Sequence, residues 1–246
     1  MKPLGPIPEG FAALDGVLAI DGHKVTDLVA KAGETPLFVY SAALITRRMA
    51  RLRAAMPDQL AIHFAVKANP YRPILELMSG LVDGFDIASG GELEQVFRAG
   101  ISPQLVSFAG PGKRDAELSA ALHHGVTINL ESEGEARRAL ALAEREGITP
   151  RLAIRVNPDF DLKGSGMKMG GGAKPFGIDA ERVPALVREI VGAGAEWRGF
   201  HIFAGSQALD ADAIADTQRQ TLELAARLAE ESGAPLPHCN LGGGIG

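Results

Sequence analysis

The pattern of apolar and polar positions divides most of this chain into short apolar runs separated by amphipathic segments. The apolar runs predict strands at residues 60–66, 82–88, 105–109, 126–130, 152–157, 197–203 and 238–241. The amphipathic segments predict helices at residues 42–56, 71–80, 90–100, 112–124, 131–147, 179–194 and 208–233. Within one of these, Ala136, Leu140 and Ala143 share a face at helical spacing, so that face is expected to pack against a sheet.

Strands that alternate with helices in this way are typical of βα units, because parallel strands need a long crossover connection. Each predicted strand is followed by a polar or glycine-containing loop. The pattern predicts an α/β fold, a (β/α)8 TIM-type barrel whose last strand lies outside the 246 residues. A doubly wound open sheet has the same alternation and remains the alternative.

Residues 1–41 follow a different pattern. Residues 17–23 predict a strand that runs into a tight turn, and residues 36–40 predict a second strand. We interpret 1–41 as a lead-in that packs with a β-rich domain outside the given sequence, and 42–246 as the barrel domain.

Composition argues against several classes of function. The chain has 25 Lys and Arg against 30 Asp and Glu, and this net charge of −5 argues against general nucleic-acid binding. Cys239 is the only cysteine and has no partner for an internal disulfide, which favours a reducing compartment. No apolar stretch approaches the roughly 18 residues of a membrane-spanning helix, and no Cys/His cluster has zinc-binding spacing. We therefore expect a cytoplasmic protein without a membrane or metal partner.

A single lysine stands where the first predicted barrel strand ends, in FAVKANP at residues 64–70. Desolvation lowers the pKa of an amine, and a neutral amine can attack an aldehyde, so Lys67 is a candidate nucleophile. A lysine at a strand end also commonly lays its aliphatic stem along the protein surface without any chemical role.

Two further features point to an anion near the strand ends. Glycines 242–244 follow the last predicted strand, and glycine permits the close backbone approach by which N–H groups bind a phosphate. Loops after the late strands of a barrel often have this role, although a plain tight turn is the alternative. Arg155 interrupts an otherwise apolar strand, where an arginine needs an anionic partner.

Six motifs occur along the chain in the order AVKANPY at 65–71, FDIASGGEL at 85–93, RVNP at 155–158, KPFGI at 174–178, GSQ at 205–207 and GGG at 242–244. Over nearly its whole length the chain resembles the pyridoxal phosphate (PLP)-dependent decarboxylases of the alanine-racemase fold, in the diaminopimelate and ornithine decarboxylase group. The loop KGSGMKMGGG at 163–172 looks like that of an exosortase-associated subgroup. That subgroup resembles enzymes acting on aminoacyl groups tethered to acyl carrier proteins.

The resemblance implies that Lys67 carries PLP as a Schiff base and that the complete enzyme is a homodimer. It places Asp86 and Glu92 in the network around the lysine, although either acid also suits the start of the following helix. The positions to which it assigns cofactor contacts are Lys67, Asp86, Glu92, Arg155, His201, Phe203, Ser206, Gly242, Gly243 and Gly244.

One departure from the family's pattern concerns an aromatic ring. Family members commonly have a histidine three residues before the serine of the Gly-Ser pair, where its ring stacks on the pyridine. Here Phe203 occupies that register and His201 lies two residues earlier, on the same face by the period of a strand. Phe203 can stack on a ring but cannot donate a hydrogen bond.

The predicted function is PLP-dependent α-decarboxylation of an amino acid, similar to that of diaminopimelate decarboxylase. The substrate is either a free amino acid or an aminoacyl carrier protein, and Lys163, Lys168 and Lys174 near the barrel mouth would suit an acidic carrier. Two alternatives stay open: an amino-acid racemase of the same fold, and a non-catalytic PLP-binding regulatory homologue, which Phe203 favours.

Overall fold

A computed structural model describes residues 8–160, 167–168, 174–206 and 209–243, with the backbone alone at residues 167, 168 and 206. The strands are β1 Phe11–Leu14, β2 Val17–Ile20, β3 His23–Lys24, β4 His63–Ala65, β5 Gly84–Ile87, β6 Val106–Phe108, β7 Thr127–Leu130, β8 Arg151–Asn157, β9 Met167–Lys168, β10 Ile178–Asp179, β11 Glu196–Ile202, β12 Gly205–Ser206 and β13 Cys239–Asn240. The α-helices are α1 Val25–Ala32, α2 Ala42–Ala55, α3 Arg72–Ser79, α4 Gly90–Arg98, α5 Asp115–His124, α6 Glu133–Glu146, α7 Val183–Gly192 and α8 Ala211–Ser232. Every strand and helix predicted after residue 41 is present; most are shorter than predicted, whereas β8 and β11 begin one residue earlier.

The main sheet is parallel and its strands follow one another in chain order, as β4-β5-β6-β7-β8-β11-β13. The short strand β10 pairs with the end of β8, and β9 pairs with β12 outside this sheet. Among the described strands this order does not reverse and leaves no switch point, so the doubly wound alternative is wrong. The sheet also curls, because Asn240 Nδ2 on β13 lies 3.2 Å from Asp86 Oδ2 on β5. The predicted barrel architecture is confirmed.

Helix α6 illustrates how the local sequence builds one βα unit. Ser132 caps its first turn by accepting a hydrogen bond of 3.1 Å from the backbone N–H of Glu135, and Gly147 ends the helix with a φ of 67°. Ala136 and Ala143 are buried, so this small-residue face lets the helix lie close to the sheet. The core under the helices is formed by the apolar side chains of the sheet, among them Phe85, Phe108, Ile128 and Ile154.

The N-terminal region differs from its prediction. Residues 17–20 form the expected strand β2, within an antiparallel sheet β1-β2-β3, but β1 and α1 were not predicted. The strand predicted at residues 36–40 is wrong: no other described segment pairs with its backbone, and Phe38 is 84% exposed. An apolar run becomes a strand only when a neighbour offers hydrogen bonds. The division of the chain at residue 41 stays a prediction.

Candidate functional site

The carboxyl ends of parallel strands lie at one edge of the sheet, and this edge carries a row of polar side chains. Near the β4 end of the sheet, the strand register places Asp86 beside Ser107. Near the β13 end, it places His201 between Arg155 and Asn240. Because residues in register on neighbouring parallel strands share a face, these side chains form a polar layer inside the curled sheet.

Lys67 lies at this edge, in the 3₁₀ turn Val66–Ala68 directly after β4. Val66 is fully buried and its carbonyl accepts a hydrogen bond of 3.0 Å from the N–H of Asn69, which fixes the turn. Lys67 itself is exposed and has no hydrogen-bonding or ionic partner among the described residues. The expected position is confirmed, whereas the burial from which we expected a neutral amine is not observed.

Asp86 has a partner on each carboxylate oxygen. Its Oδ1 lies 3.0 Å from His63 Nδ1 on β4, and its Oδ2 accepts a hydrogen bond of 3.2 Å from Asn240 Nδ2 on β13. Burial alone raises the pKa of Asp86, but the hydrogen bond and charge of His63 outweigh it and the pKa is lowered. Asp86 is therefore an ionised, fixed carboxylate, and the helix-cap alternative is wrong because Ser89 caps α4.

His63 and Asn240 were not identified from the sequence. A signal existed for His63, since it alternates with Ala65 on the strand that leads to Lys67 and so shares a face with Ala65. The space for its ring depends on Gly84, where a Cβ atom would lie 2.6 Å from His63 Nε2. Burial lowers the pKa of His63, but the adjacent Asp86 carboxylate prevails and the pKa is raised.

His201 is a neutral histidine inside the same layer. Its burial, with Arg155 nearby, lowers its pKa to about 4. Its Nδ1 atom is buried without a hydrogen-bond partner among the described residues. A buried polar atom left without a partner is costly, so this nitrogen is available to a bound group.

Phe203 packs against the glycine loop. A Cβ atom on Gly242 would overlap its ring, and Gly242 has a φ of 71°, so glycine is required there for two reasons. The sequence placed His201 and Phe203 on one face, and both lie at the carboxyl end of β11.

Arg155 has the anionic partner that its position predicts. Its NH1 donates a hydrogen bond of 3.0 Å to Glu131 Oε1, and the Phe176 ring lies 4.8 Å from the guanidinium carbon. Glu131 is 5% exposed and also accepts hydrogen bonds from the backbone N–H groups of Gly110 and Gly177. This buried carboxylate was missed in the sequence, although its position directly after a predicted strand was a usable signal.

A second buried charge pair supports this arrangement. Lys113 Nζ lies 2.6 Å from Glu135 Oε1, and their side chains are 1% and 2% exposed. The same ammonium donates to the carbonyls of Gly110 and Asn129, and Glu135 Oε2 accepts from the N–H of Glu131 at 3.0 Å. The pair therefore fixes the loop after β6 and the residue that binds Arg155.

Glu92 lies at the start of α4, where its Oε2 accepts a hydrogen bond of 2.6 Å from the N–H of Ala88. This contact agrees with the helix-start alternative for Glu92. Its place in a cofactor network stays a prediction.

The glycine loop is described as far as Gly243. The N–H of Gly242 donates to Asn240 Oδ1 at 2.8 Å, so it is already engaged within the protein. A cavity of about 40 Å³ lies between the loop and α8, lined by residues that include Phe203, Thr217 and Gly243. Gly244 and the side chain of Ser206 lie outside the described part of the chain, and their predicted phosphate contacts stay predictions.

Three other observations concern the cysteine, metal binding and membrane spans. Burial raises the pKa of the Cys239 thiol to about 11, so it is protonated at neutral pH and a poor nucleophile. Among the described residues, no group of three His, Cys, Asp or Glu side chains has an arrangement that could hold a metal ion. None of the helices in the described ranges is long and apolar enough to cross a membrane.

The site fits pyridoxal phosphate in its donor set. It presents an exposed, unpartnered amine on Lys67, a buried ring nitrogen without a partner on His201, and a glycine loop at the same edge of the sheet. These groups suit an aldehyde, an aromatic ring and a phosphate respectively.

Comparisons with known proteins agree with this geometry. A family model described as "Pyridoxal-dependent decarboxylase, pyridoxal binding domain" matches residues 42–246. The chain is 32% identical over 229 residues to L-glutamyl-[BtrI acyl-carrier protein] decarboxylase of Niallia circulans, covering 92% of this chain and 53% of the relative. It is 35% identical over 237 residues to diaminopimelate decarboxylase of Aquifex aeolicus, covering 94% of this chain and 55% of the relative. The chain thus spans about half the length of these curated relatives.

Solved structures have the same fold. The crystal structure of AQ1208 from Aquifex aeolicus matches with a TM-score of 0.80 and 32% identity, over 96% of this chain and 56% of that chain. The structure of diaminopimelate decarboxylase from Helicobacter pylori complexed with L-lysine matches with a TM-score of 0.80 and 27% identity, over 90% of this chain and 57% of that chain.

Proposed function

Because the chain belongs to the pyridoxal-dependent decarboxylases, we propose that the whole protein removes the α-carboxylate of an amino acid with PLP as cofactor. Lys67 is the residue that binds the cofactor covalently. The observation that carries the proposal is the position of this lysine, exposed and unpartnered among the described residues, at the edge where the polar layer lies.

When bound, PLP supplies an electron sink for the pair of electrons left by the departing carboxylate. Lys67 Nζ would hold the aldehyde carbon of the cofactor, and the same nitrogen could hold or release a proton beside the substrate. Neutral His201, whose Nδ1 has no partner among the described residues, would offer the cofactor one hydrogen bond. Arg155, held by Glu131, contributes positive charge close by.

The second part of the proposal concerns the class of amino acid that the protein decarboxylates. The names of two relatives support two classes of substrate, a free diamino acid and an aminoacyl carrier protein. We favour neither class of substrate over the other. Both have the amino group and the α-carboxylate on which the reaction depends. Of the three lysines predicted to meet an acidic carrier, Lys174 is described and half-buried, Lys163 lies outside the described residues, and Lys168 is described by its backbone alone.

The test is borohydride trapping of the full-length protein purified with PLP, followed by peptide mapping and a CO₂ assay. Substrates are diaminopimelate, ornithine, lysine and an aminoacyl carrier protein. We expect a reduced pyridoxyl group on Lys67 and CO₂ release, both lost in Lys67→Ala and both retained in Lys31→Ala, which removes an exposed lysine from α1.

Other outcomes of this test identify the alternatives. Labelling of Lys67 without CO₂ release, together with exchange of the α-proton in D₂O, would indicate a racemase. Labelling with neither reaction would indicate a non-catalytic PLP-binding homologue. Absence of label would show that the lysine is not the cofactor's anchor.

The complete protein is also proposed to be a cytoplasmic homodimer. Light scattering coupled to size exclusion measures the oligomeric state directly, and a monomeric, active enzyme would contradict this part of the proposal.

A further inference from the structure

A continuous path of side-chain contacts crosses the interior of the sheet from the lysine strand to the glycine loop. It begins at His63 on β4, whose Nδ1 lies 3.0 Å from Asp86 Oδ1. It continues from Asp86 Oδ2 to Asn240 Nδ2 at 3.2 Å, and from Asn240 Oδ1 to the N–H of Gly242 at 2.8 Å. The amide of Asn240 therefore joins a carboxylate on one side to the backbone of the glycine loop on the other.

The backbone of the sheet does not supply this connection. β4 is hydrogen-bonded to β5 and β13 to β11, and in the described part of the chain the two strands β4 and β13 share no backbone pairing. Along the sheet, the strands β5, β6, β7, β8 and β11 lie between them. The side-chain path is thus the short route that relates the position of Lys67 to the position of the loop.

The charge of Asp86 strengthens this path. Asp86 is ionised and both of its oxygens are engaged, and a hydrogen bond to a charged group is stronger than one between neutral groups. Gly84 leaves the space that the His63 ring occupies, because a Cβ atom there would lie 2.6 Å from His63 Nε2.

We propose that His63 and Asn240 are positioning residues that fix the separation between Lys67 and the glycine loop, and thereby the affinity for a cofactor anchored at both places. This inference rests on the proposed function, in which the lysine binds the aldehyde and the loop binds the phosphate. A rigid ligand with two anchors binds best when both anchors are preorganised at the right separation. Neither residue needs to touch the ligand.

The experiment compares equilibrium binding of PLP and of pyridoxal, which lacks the phosphate, to the full-length apoprotein by absorbance and fluorescence. Asn240→Asp keeps the size of the side chain and the acceptor for Gly242 but replaces the donor to Asp86 by a carboxylate. We expect it to weaken PLP binding by about 10-fold or more and pyridoxal binding by less than about 3-fold, since only PLP uses both anchors.

A second pair of variants tests the other end of the path. His63→Leu removes the donor and is expected to weaken PLP binding by about 10-fold, whereas His63→Asn places an amide nitrogen near the position of Nδ1 and restores affinity to within about 3-fold. His23→Leu, which removes an exposed histidine from β3, is the matched control and leaves both affinities unchanged. The double variant His63→Leu with Asn240→Asp should lose less than the product of the single effects, because both break one path.

The outcomes separate this inference from the proposed function. If the unmodified protein binds PLP more tightly than pyridoxal but Asn240→Asp weakens both equally or neither, the positioning role is wrong and the proposed function stands. If the unmodified protein binds neither compound, both the proposed function and the inference are wrong. A selective loss of PLP affinity in Asn240→Asp and in His63→Leu, with affinity retained in His63→Asn, supports the inference.

Discussion

Two histidines in the same polar layer have pKa values shifted in opposite directions. His201 is buried beside the guanidinium of Arg155, and both effects favour its neutral form, with a pKa of about 4. His63 faces the Asp86 carboxylate, with Asp83 as a further acid, and these negative charges outweigh its burial. The pKa of the same residue type is therefore shifted in opposite directions, according to the charged groups that face each ring.

The shift at His201 predicts a dependence of stability on pH. Its folded pKa lies below its unfolded value, so the unfolded state binds more protons between about pH 4 and pH 6.5 and stability rises with pH in that window. Acidification from about pH 7.5 to about pH 5 should lower the free energy of unfolding by about 2 kcal/mol through His201 alone. Chemical denaturation of the full-length apoprotein at both pH values measures the change.

The variant His201→Gln isolates this effect. Asp86, Glu131, Lys67 and Arg155 face the ring and are the same in both proteins, so their contributions cancel in the comparison. We expect the unmodified protein to lose about 2 kcal/mol more than His201→Gln on acidification. Equal losses in the two proteins would show that His201 titrates normally.

At the scale of elements, a buried ion pair joins the loop after β6 to helix α6. Lys113 and Glu135 are almost inaccessible, and their hydrogen bonds also organise the chain around Glu131. Burial lowers the pKa of Lys113, opposed by the charge of Glu135. Such a pair is costly to break from one side, because the remaining charge stays buried without compensation.

We therefore expect Lys113→Met to lower the free energy of unfolding by about 3–5 kcal/mol, by leaving the carboxylate of Glu135 unpaired. The control is Arg98→Ala, which removes an exposed pair with Glu94 at 3.1 Å and should change stability by no more than about 1 kcal/mol. Denaturant titration of both variants checks this, and a Lys113→Met loss as small as the control's would contradict it.

A glycine in β11 is required by the approach of β13. Gly199 has a φ of 94°, and a Cβ atom there would overlap the carbonyl of His238. The same carbonyl accepts a hydrogen bond of 3.1 Å from the N–H of Phe200. We expect Gly199→Ala to destabilise the protein by about 3 kcal/mol, from backbone strain and the forced separation of the two strands.

Gly192 provides the matched comparison for that substitution. It ends helix α7, and a Cβ atom there would meet nothing within 4 Å. Gly192→Ala should leave stability unchanged or raise it by up to about 1 kcal/mol. Thermal or chemical denaturation of the two variants distinguishes them, and equal effects would refute the packing argument at Gly199.

At the scale of the whole molecule, the curled sheet is open between β4 and β13 in the described part of the chain. Apolar side chains near the N-terminus are also exposed, with Phe38 at 84% and Leu18 and Tyr40 each at 50%. Unpaired strand edges and exposed apolar surface both promote association.

We therefore expect the 246 residues expressed alone to aggregate or to lack activity, whereas the full-length protein remains dispersed and active. Size exclusion with light scattering, combined with the CO₂ assay, makes the comparison. A monodisperse monomer of the 246 residues that turns over substrate would contradict this expectation.

Most of the barrel elements could be predicted because each has a strong local signal. Helix α6 has its capping serine, its small-residue face and its terminal glycine within the segment itself. The strand expected at residues 36–40 is absent because an apolar run is a local feature, whereas a strand also needs a pairing partner from elsewhere in the chain.

The sequence by itself determined the order of the main barrel strands and helices after residue 41, the position of Lys67 at a strand end and the need of Arg155 for an anion. These follow from periodicity and from the cost of burying charge, which act over a few residues. Only the tertiary structure decided that Glu131 is that anion and that His63, Asp86 and Asn240 form one path. These contacts join residues as many as 154 positions apart, so they depend on how the sheet curls rather than on any local pattern.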